Sequence, residues 1–468
     1  MSLLKYTLNY QADSTQLFER LRHKPWAIWL DSGQPYGQYG RYDILVADPS
    51  ITISSSAIVE AQLPSWHTEM TQDGKVSLSN EDPFSILNRL LSPYHAVQTE
   101  HPFSGGALGY FGYDLGRKAA VVASHHSDQT ALPDMMVGIY DWAVVVDHKE
   151  KTACLVSHGF HPETHSQWTS LCALLDAPVV EVSSCFELTS SICSNMDFEQ
   201  YAQAFHQVKH YITEGDCYQV NLAQRFSAQA RGDSWPAYQK LRQISPAPFM
   251  AYMNFGAMQV LSGSPERFLQ VVANHVETRP IKGTRPRSKD AVQDRQYAEA
   301  LQASIKDKAE NLMIVDLLRN DIGKNCKIGS VKADKLFQLQ SFANVHHLVS
   351  FVSGILQTGK TAIDLLRGCF PGGSITGAPK LRAMQIIDEL EPNRRGVYCG
   401  VIGYIGFDGN MDTNIAIRTA VYVNGEISFY AGGGIVADSV LEKEYAETLD
   451  KASSLMDCLQ TFQTEHDY

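Results

Sequence analysis

Asn424 and Gly425 stand between two runs of alternating apolar residues, NIAIRTAVYV before them and EISFYAGGGIV after them. An Asn-Gly pair readily takes the left-handed conformations that a two-residue hairpin turn needs. Alternation with a period of two marks a strand with one face turned to a core. Together they commit this part of the chain to a tight antiparallel hairpin. Similar short alternating segments recur before residue 180, in YDILVADPSITISSS and IYDWAVVVDHKEKTACLVS, with turn residues between them. VYCGVIGYIG and YQVNLAQRFSAQ also read as strands. FSGGALGYFGYDLGR, residues 103–117, is rich in glycine and tyrosine, as close packing of backbone on backbone requires.

Helical periods interrupt these strands. MDFEQYAQAFHQVKHYITEG places Phe198, Tyr201, Phe205, Val208 and Ile212 at helical spacing and stops at Gly215. AENLMIVDLLRNDIG is apolar around most of its circumference and reads as a buried helix ending near Gly323. LEKEYAETLDKASSLMDCLQ closes the chain as a helix. A serine-rich stretch at 183–195 is the main boundary, separating an N-terminal part (1–190) from a second block (197–468). Strands from both blocks could join shared sheets.

At 468 residues the chain is long enough for two domains or one large two-lobed domain. No run of roughly 18 uncharged apolar residues could span a bilayer, and MSLLKYTLNYQADSTQ lacks the layout of a signal peptide. A cytoplasmic protein is expected. Nine cysteines without a CxxC pair indicate neither a disulfide framework nor a zinc site. Acidic residues outnumber basic ones, 51 to 39, which argues against nucleic acid or an anionic membrane as the main partner. An anionic small molecule then needs a local cationic pocket, and RPIKGTRPR, residues 279–287, is a candidate wall.

Several constellations could carry chemistry. Lys282 lies between Arg279 and Arg285, which would lower its pKa if they point inward. Asp307 with Glu310, and Glu444 with Glu447, are each three apart on an expected helix, so both members face the same way. Two such helices face to face could hold Mg2+ on oxygen ligands, or each pair could be a solvated charged face. Arg418 in IAIRTAVYV shares a strand face with Ala416, Ala420 and Tyr422. A buried arginine there needs an anion, either a ligand carboxylate or an internal acid. Gly432, Gly433 and Gly434 offer successive amides, a suitable nest for a carboxylate or a close backbone crossing. PGGSITGAPK, residues 371–380, fails as a phosphate loop because Ala378 and Pro379 displace Lys380. It remains a turn into a helix. Of His346 and His347 one must face away from the other, and Glu266 follows Pro265 at a strand end.

Taken in order, SPERF, PIKGT, AENLMIVDLLRND, VHHLVS, PGGSITGAPK, AIRTA, AGGGIVADS and EYAET resemble the motifs of the chorismate-utilising enzymes. That family includes the anthranilate, aminodeoxychorismate, isochorismate and salicylate synthases. FSGGALGYFGYD and GRYDILVADP extend the likeness into the first part of the chain. The resemblance implies an α+β fold of two stacked antiparallel β-sheets flanked by helices, with the active site in the cleft between them. It implies chorismate as substrate and Mg2+ as cofactor, with Glu310 and Glu447 as direct ligands and Asp307 and Glu444 acting mostly through water. Arg418, Tyr398, Lys451, Thr376, Gly377 and the amides of Gly432 to Gly434 would hold the substrate, with His347 beside the ring.

Two positions point to a branch. Water-adding members resemble one another in carrying a lysine base where this chain has Gln219, also a substrate-binding position, and glutamine cannot take a proton from water. Anthranilate synthases resemble this chain but read PIAGT, whereas PIKGT looks like the aminodeoxychorismate branch. That branch implies a covalent role for Lys282, with Glu266 protonating the departing hydroxyl. Anthranilate-type chemistry and a catalytically silent chorismate-binding paralogue are the alternatives. No nucleophile elbow for glutamine hydrolysis is present, so similarity implies a separate glutamine amidotransferase subunit supplying ammonia. A separate lyase would make 4-aminobenzoate for folate. WLDSGQP, residues 29–35, resembles the tryptophan-binding segment of the anthranilate branch, with Asp31 and Ser32 as the matching pair, or it is only a strand and turn.

Overall fold

The computed structural model describes residues 3–33, 39–58, 65–94, 99–119, 132–179, 184–341 and 345–463. Among these residues the strands form two large sheets, of 13 and 12 strands, paired antiparallel throughout. The Asn-Gly hairpin is present. Asn424 and Gly425 both have positive φ, 52° and 77°, and join Thr419–Val423 to Glu426–Ile435 with Val423 opposite Glu426. That is the backbone a type I′ turn demands.

Both sheets draw strands from before residue 190 and after residue 197. In the larger sheet Ala27–Asp31 pairs with Phe249–Asn254, and in the other Gly106–Phe111 pairs with Val401–Gly406. The glycines of FSGGALGYFGYD let this strand approach both its neighbours, Val401–Gly406 and Met135–Tyr140. A Cβ on Gly106 would lie 2.3 Å from the Ile405 carbonyl oxygen, and one on Gly109 2.1 Å from that of Met136.

Three main apolar clusters fill the layers. One, around Ile28, Val46, Tyr110, Met253, Val260 and Ile402, joins side chains from both sheets and so lies between them. The others back each sheet with helices: Trp29 and Trp235 anchor one, Phe84, Phe268 and Leu366 the other. This is the stacked-sheet α+β arrangement that the motifs imply.

The helices follow their patterns closely. Phe198–Thr213 opens on a capping box between Asp197 and Gln200, and Leu441–Gln460 spans the segment expected of it. Ile305–Gly323 ends at Gly323 as expected, but its apolar residues are not all enclosed. Ile314, Val315, Leu318 and Ile322 are buried, whereas Leu312 is 50% exposed. One face packs on the Val345–Ile355 strand and another carries its carboxylates toward the C-terminal helix. No helix among the described residues is long and apolar enough to cross a membrane.

One crossing places the site. Met258–Ser264 and Thr419–Val423 are neighbours in the larger sheet, and their continuations Arg267–Val272 and Met411–Ile415 are neighbours in the other. Two adjacent chain segments thus leave one sheet together and enter the second. The links are Pro265-Glu266 and Ala416-Ile417-Arg418, tied by Ile415 N–H to the Glu266 carbonyl (3.0 Å) and Gly263 N–H to the Arg418 carbonyl (2.9 Å). IAIRTAVYV is therefore not one continuous strand. Arg418 takes φ 50°, a left-handed value rare for arginine, because the chain must change sheets there.

Candidate active site

Lys282 projects from the Ile281–Pro286 strand, and its Nζ lies 3.4 Å from the Ser374 carbonyl, to which it donates. No carboxylate among the described residues forms an ion pair with it. Burial pushes its pKa down, and the Lys451 ammonium adds to that, against the opposing pull of Glu266, Glu310 and Glu447. Glu266 at the sheet crossing is raised to about 7 by burial, with Lys282, Lys451 and the Ser374 side chain working in the other direction. Both side chains are only half-buried by surface area, since the cleft opens above them, while the protein encloses their charged ends.

The arginines of RPIKGTRPR play a different part from the one their proximity suggests. Arg279 pairs with Glu277 at 2.6 Å and lies over the rings of Tyr39 and Phe351. Arg285 pairs with Asp307 at 3.0 Å, and Arg287 with Asp294 at 2.8 Å. Each arginine is thus held by an acid of its own. The cation that acts on Lys282 is Lys451, from the C-terminal helix.

The two acidic pairs do face each other. Glu310 and Glu444 are both raised, first by burial; Asp307 and Glu444 then push Glu310 up, as Glu447 does Glu444. Asp307 is bound to Arg285, Glu310 lies 3.8 Å from Lys306 Nζ, Glu447 pairs with Lys451 at 2.6 Å, and Glu444 accepts from Ser439 Oγ at 2.6 Å. A Cβ on Gly433 would sit 3.2 Å from Glu444 Oε2 and 3.4 Å from Glu447 Oε1, so glycine lets this strand approach the carboxylates. Among the described residues no three Asp, Glu, His or Cys side chains close into a ready-made metal cage. Magnesium does not require one, because it binds through one or two carboxylates and fills its shell with water and substrate oxygens. A half-buried, all-oxygen set whose members still push one another's pKa up suits such a cation.

Arg418 has no ion-pair partner among the described residues, and burial alone lowers its pKa. The internal salt bridge left open by the sequence is not formed. Beside Arg418, His347 is held by burial, and then by that guanidinium, down to about 4, so it is neutral at ordinary pH. It shares a 2.9 Å hydrogen bond with the Thr284 hydroxyl, opposite it in the sheet. His346 turns the other way, to Asp294 at 3.1 Å.

Gly432, Gly433 and Gly434 lie in the extended Glu426–Ile435 strand, paired with Ala223, Leu222 and Asn221. Successive amides of a strand point to opposite edges, so the three do not form a concave nest. The Gly432 carbonyl accepts from Lys451 Nζ at 2.9 Å. Next to Gly434, the Gln219 side chain is buried at 1% exposure and its Nε2 has no hydrogen-bond partner. An unmet donor in such a place fits a ligand oxygen. Gly377, at φ 149°, has no room for a Cβ, which would come within 2.1 Å of the Gln219 carbonyl oxygen, and Thr376, fully buried, donates its hydroxyl to the Gly372 carbonyl at 2.9 Å. Tyr398 is buried with its ring stacked on Tyr430 at 5.2 Å. Lys380 is held by Asp321 at 2.5 Å and the Cys369 carbonyl at 2.7 Å, which removes it from any phosphate role.

A cavity of about 500 Å³ lies between the sheets, lined by Asp31, Ser32, Met250, Arg267 and Tyr404 among others. Asp31 accepts from Arg242 Nε at 2.6 Å, Tyr238 Oη at 3.0 Å and Gly33 N–H at 2.8 Å, and burial with Asp43 nearby raises it to about 6. The Ser32 amide and hydroxyl both donate to Asp43. Gln34 and Pro35 of the same segment lie outside the described residues.

Sequence reasoning passed over Ser374 and Arg395. Their roles consist of contacts between segments far apart in the chain, which no local pattern signals.

Residues 48–457 match the family model described as chorismate binding enzyme. The chain is 46% identical over 458 residues to aminodeoxychorismate synthase component 1 of Escherichia coli, covering 97% of this chain and 98% of that one. It is 35% identical over 463 residues to anthranilate synthase component 1 of Aquifex aeolicus, covering 95% and 91%. Among solved structures, anthranilate synthase component I from Streptococcus pneumoniae superposes with a TM-score of 0.77 at 32% identity, over 90% of this chain and 95% of that one.

Proposed function

The chain belongs to the chorismate-binding enzymes, and from that premise we propose that it acts as an aminodeoxychorismate synthase component 1, converting chorismate and ammonia to 4-amino-4-deoxychorismate. The observation that carries this reading is the amine of Lys282. It stands in the cleft with a lowered pKa, without an ion-pair partner among the described residues and beside a glutamate whose pKa is raised to about 7. A solvated cation would show neither shift.

Neutral Lys282 attacks C2 of chorismate. The ring double bonds shift, the C4–O bond breaks, and protonated Glu266 gives its proton to the departing hydroxyl, which leaves as water. Ammonia then adds at C4, the double bonds shift back, and the C2–N bond to Lys282 breaks to restore the free amine. Two allylic steps replace one poor direct displacement. Arg418, lacking an internal acid, takes a substrate carboxylate on its guanidinium. The Gln219 amide donates to a second substrate oxygen, and neutral His347 lines the ring side.

Glu310 and Glu447, with Asp307 and Glu444 behind them, would hold Mg2+, which when bound offsets a substrate carboxylate's charge. Ammonia comes from a separate glutamine amidotransferase subunit, in the cytoplasm, and a separate lyase carries the product toward 4-aminobenzoate and folate. The cavity beside Asp31 and Ser32 is of a size that small-molecule sites occupy, and tryptophan is the ligand proposed for it.

The test is turnover of chorismate with ammonium and magnesium by wild type and by Lys282→Ala, with products separated by mass. The wild type should accumulate 4-amino-4-deoxychorismate and Lys282→Ala should not. Equal turnover by the two proteins rules out the covalent lysine, and a fluorescent aromatic product from the wild type points to anthranilate chemistry instead.

A further inference from the structure

Two side-chain amides stand unmet on one face of the Gln219–Gly232 strand. Gln219 is 1% exposed and Asn221 7%, and neither Gln219 Nε2 nor Asn221 Oδ1 has a hydrogen-bond partner among the described residues. The strand pairs with Glu426–Ile435 in unbroken register from Val220 to Gln229, so successive residues face opposite sides. Val220 and Leu222 belong to the apolar layer of Phe205, Ala383 and Ile387, on the helical side. Ala223 belongs to that of Phe268, Ile375 and Tyr398. Asn221 shares its face with Ala223 and Gln219 and so turns away from the helices.

The backbone ties Asn221 to the reacting lysine. Its amide donates to the Thr376 carbonyl at 2.8 Å, two residues along the same turn from the Ser374 carbonyl that takes Lys282 Nζ. Arg395, 3% exposed, fastens strand to turn, donating Nη1 to the Ile375 carbonyl at 3.0 Å and Nη2 to the Asn221 carbonyl at 2.9 Å.

A buried acceptor without a donor costs stability, and a ligand that supplies an N–H or O–H relieves that cost. The chemistry of the proposed reaction narrows the donor. Carboxylates of chorismate are acceptors only and cannot meet a carbonyl oxygen. The departing ring hydroxyl is the group that Glu266 protonates. Ammonia brings three N–H donors and a lone pair that must stay free to attack C4. A neutral amide carbonyl suits it better than a carboxylate, which would favour ammonium, a species with no lone pair.

We propose that Asn221 is the binding residue for the nitrogen substrate, its side-chain carbonyl accepting an N–H of ammonia while the Gln219 amide holds the adjacent substrate oxygen. The proposal rests on the aminodeoxychorismate reading given above. As the C4–N bond forms from the ammonia lone pair, the C2–N bond to Lys282 breaks, and one proton of the new ammonium group passes to the Glu266 carboxylate left by the first step. The nitrogen gains positive charge along this path, so its N–H bond to Asn221 strengthens toward the transition state.

The test compares Asn221→Val with Asn221→Thr, two side chains of one shape that both suit a strand and of which only threonine keeps an acceptor. With magnesium, saturating chorismate and ammonium as the varied substrate, kcat/KM for ammonium should fall about tenfold in Asn221→Val and stay within about threefold of wild type in Asn221→Thr. The Kd for chorismate, from a thermal-shift titration without any nitrogen source, should stay within about threefold in both. The melting temperature of Asn221→Val should equal or exceed that of wild type, because an unmet polar group has gone; Asn221→Leu replaces it should the valine variant not fold. Equal kcat/KM for ammonium in wild type, Asn221→Val and Asn221→Thr overturns the proposal. So does a loss in Asn221→Val matched by an equal loss of chorismate affinity, which would show the acceptor holding the ring hydroxyl. A wild type that turns over no chorismate overturns the proposed function, and this assignment with it, before any variant is compared.

Discussion

Replacing Arg418 with methionine should make the protein more stable and a poorer binder of its substrate. The stem keeps its approximate bulk and the left-handed φ of 50° is retained, so the change is mainly deletion of a charge. In the free protein that charge is half-buried, has no acid partner among the described residues, and is already pushed down by desolvation. Removing an unpaired buried polar group is worth about 1–3 kcal/mol. With unfolding entropy of about 2.1 cal/mol/K per residue, a chain of 468 residues gains about 1 °C in melting temperature per kcal/mol, so a rise of about 1–3 °C is expected.

Binding changes in the opposite sense. A charge-assisted hydrogen-bonded pair with a carboxylate contributes about 1.5–3 kcal/mol, which is about 10- to 150-fold in KM or Kd. The assay is a thermal-shift titration with chorismate beside steady-state kinetics. A saturating ligand at 100 times Kd adds about 2.7 kcal/mol, hence about 3 °C, to the wild type, and the same concentration should barely move the variant. A variant that is destabilised and binds chorismate as tightly as the wild type would show that Arg418 holds the fold together, and the reasoning would fail.

Glu266→Gln should abolish acid-assisted departure of the hydroxyl while raising thermal stability in a defined pH window. A carboxyl raised from 4.5 to about 7 favours its proton in the folded state, so ionisation costs stability as pH rises through that interval; the variant should gain on the wild type above pH 7 and match it below 4.5 in a pH series of melting curves. Gly283→Ala places a Cβ 2.8 Å from Leu301 Cδ1 and 2.9 Å from Asp307 Cβ at φ 81°. It should cost about 1–3 kcal/mol of stability, and, by shifting the neighbouring Lys282, lower kcat by about tenfold or more per folded molecule, measured by turnover beside a melting curve.

Much of this architecture is legible in the sequence where a physical rule is local. The Asn-Gly pair states its own dihedral angles, and the spacing of Glu444 and Glu447 states which way they face. The helix ending at Gly323 and the strand carrying Gln219 also follow from pattern alone. The break at Arg418 does not, because the alternation in IAIRTAVYV runs on unchanged while the backbone passes from one sheet to the other. Proximity misleads around Lys282: three charges within seven residues suggest a tuning that the arginines' own acid partners forestall. Lys451, Ser374 and Arg395 lie far along the chain from Lys282, and only the fold brings them near it.

The protonation of the Lys282–Glu266 pair follows from where the fold places it. In water a lysine and a glutamate side by side are both ionised across the neutral range. At the sheet crossing, desolvation works against both charges at once, lowering the amine and raising the carboxyl. Mutual attraction would restore the ion pair, but Lys451 opposes it on the lysine side, and no contact of ion-pair length joins the two. Burial and Lys451 together outweigh Glu266, Glu310 and Glu447, since the net shift of Lys282 is downward. The environment therefore moves the pair toward neutral amine and neutral acid, the combination that nucleophilic attack with protonation of a leaving hydroxyl requires. As pH rises through about 7 the glutamate loses its proton, and the same cleft then holds a carboxylate that draws protons back to the amine. Activity should fall on that limb even though the lysine, judged alone, becomes a better nucleophile with rising pH.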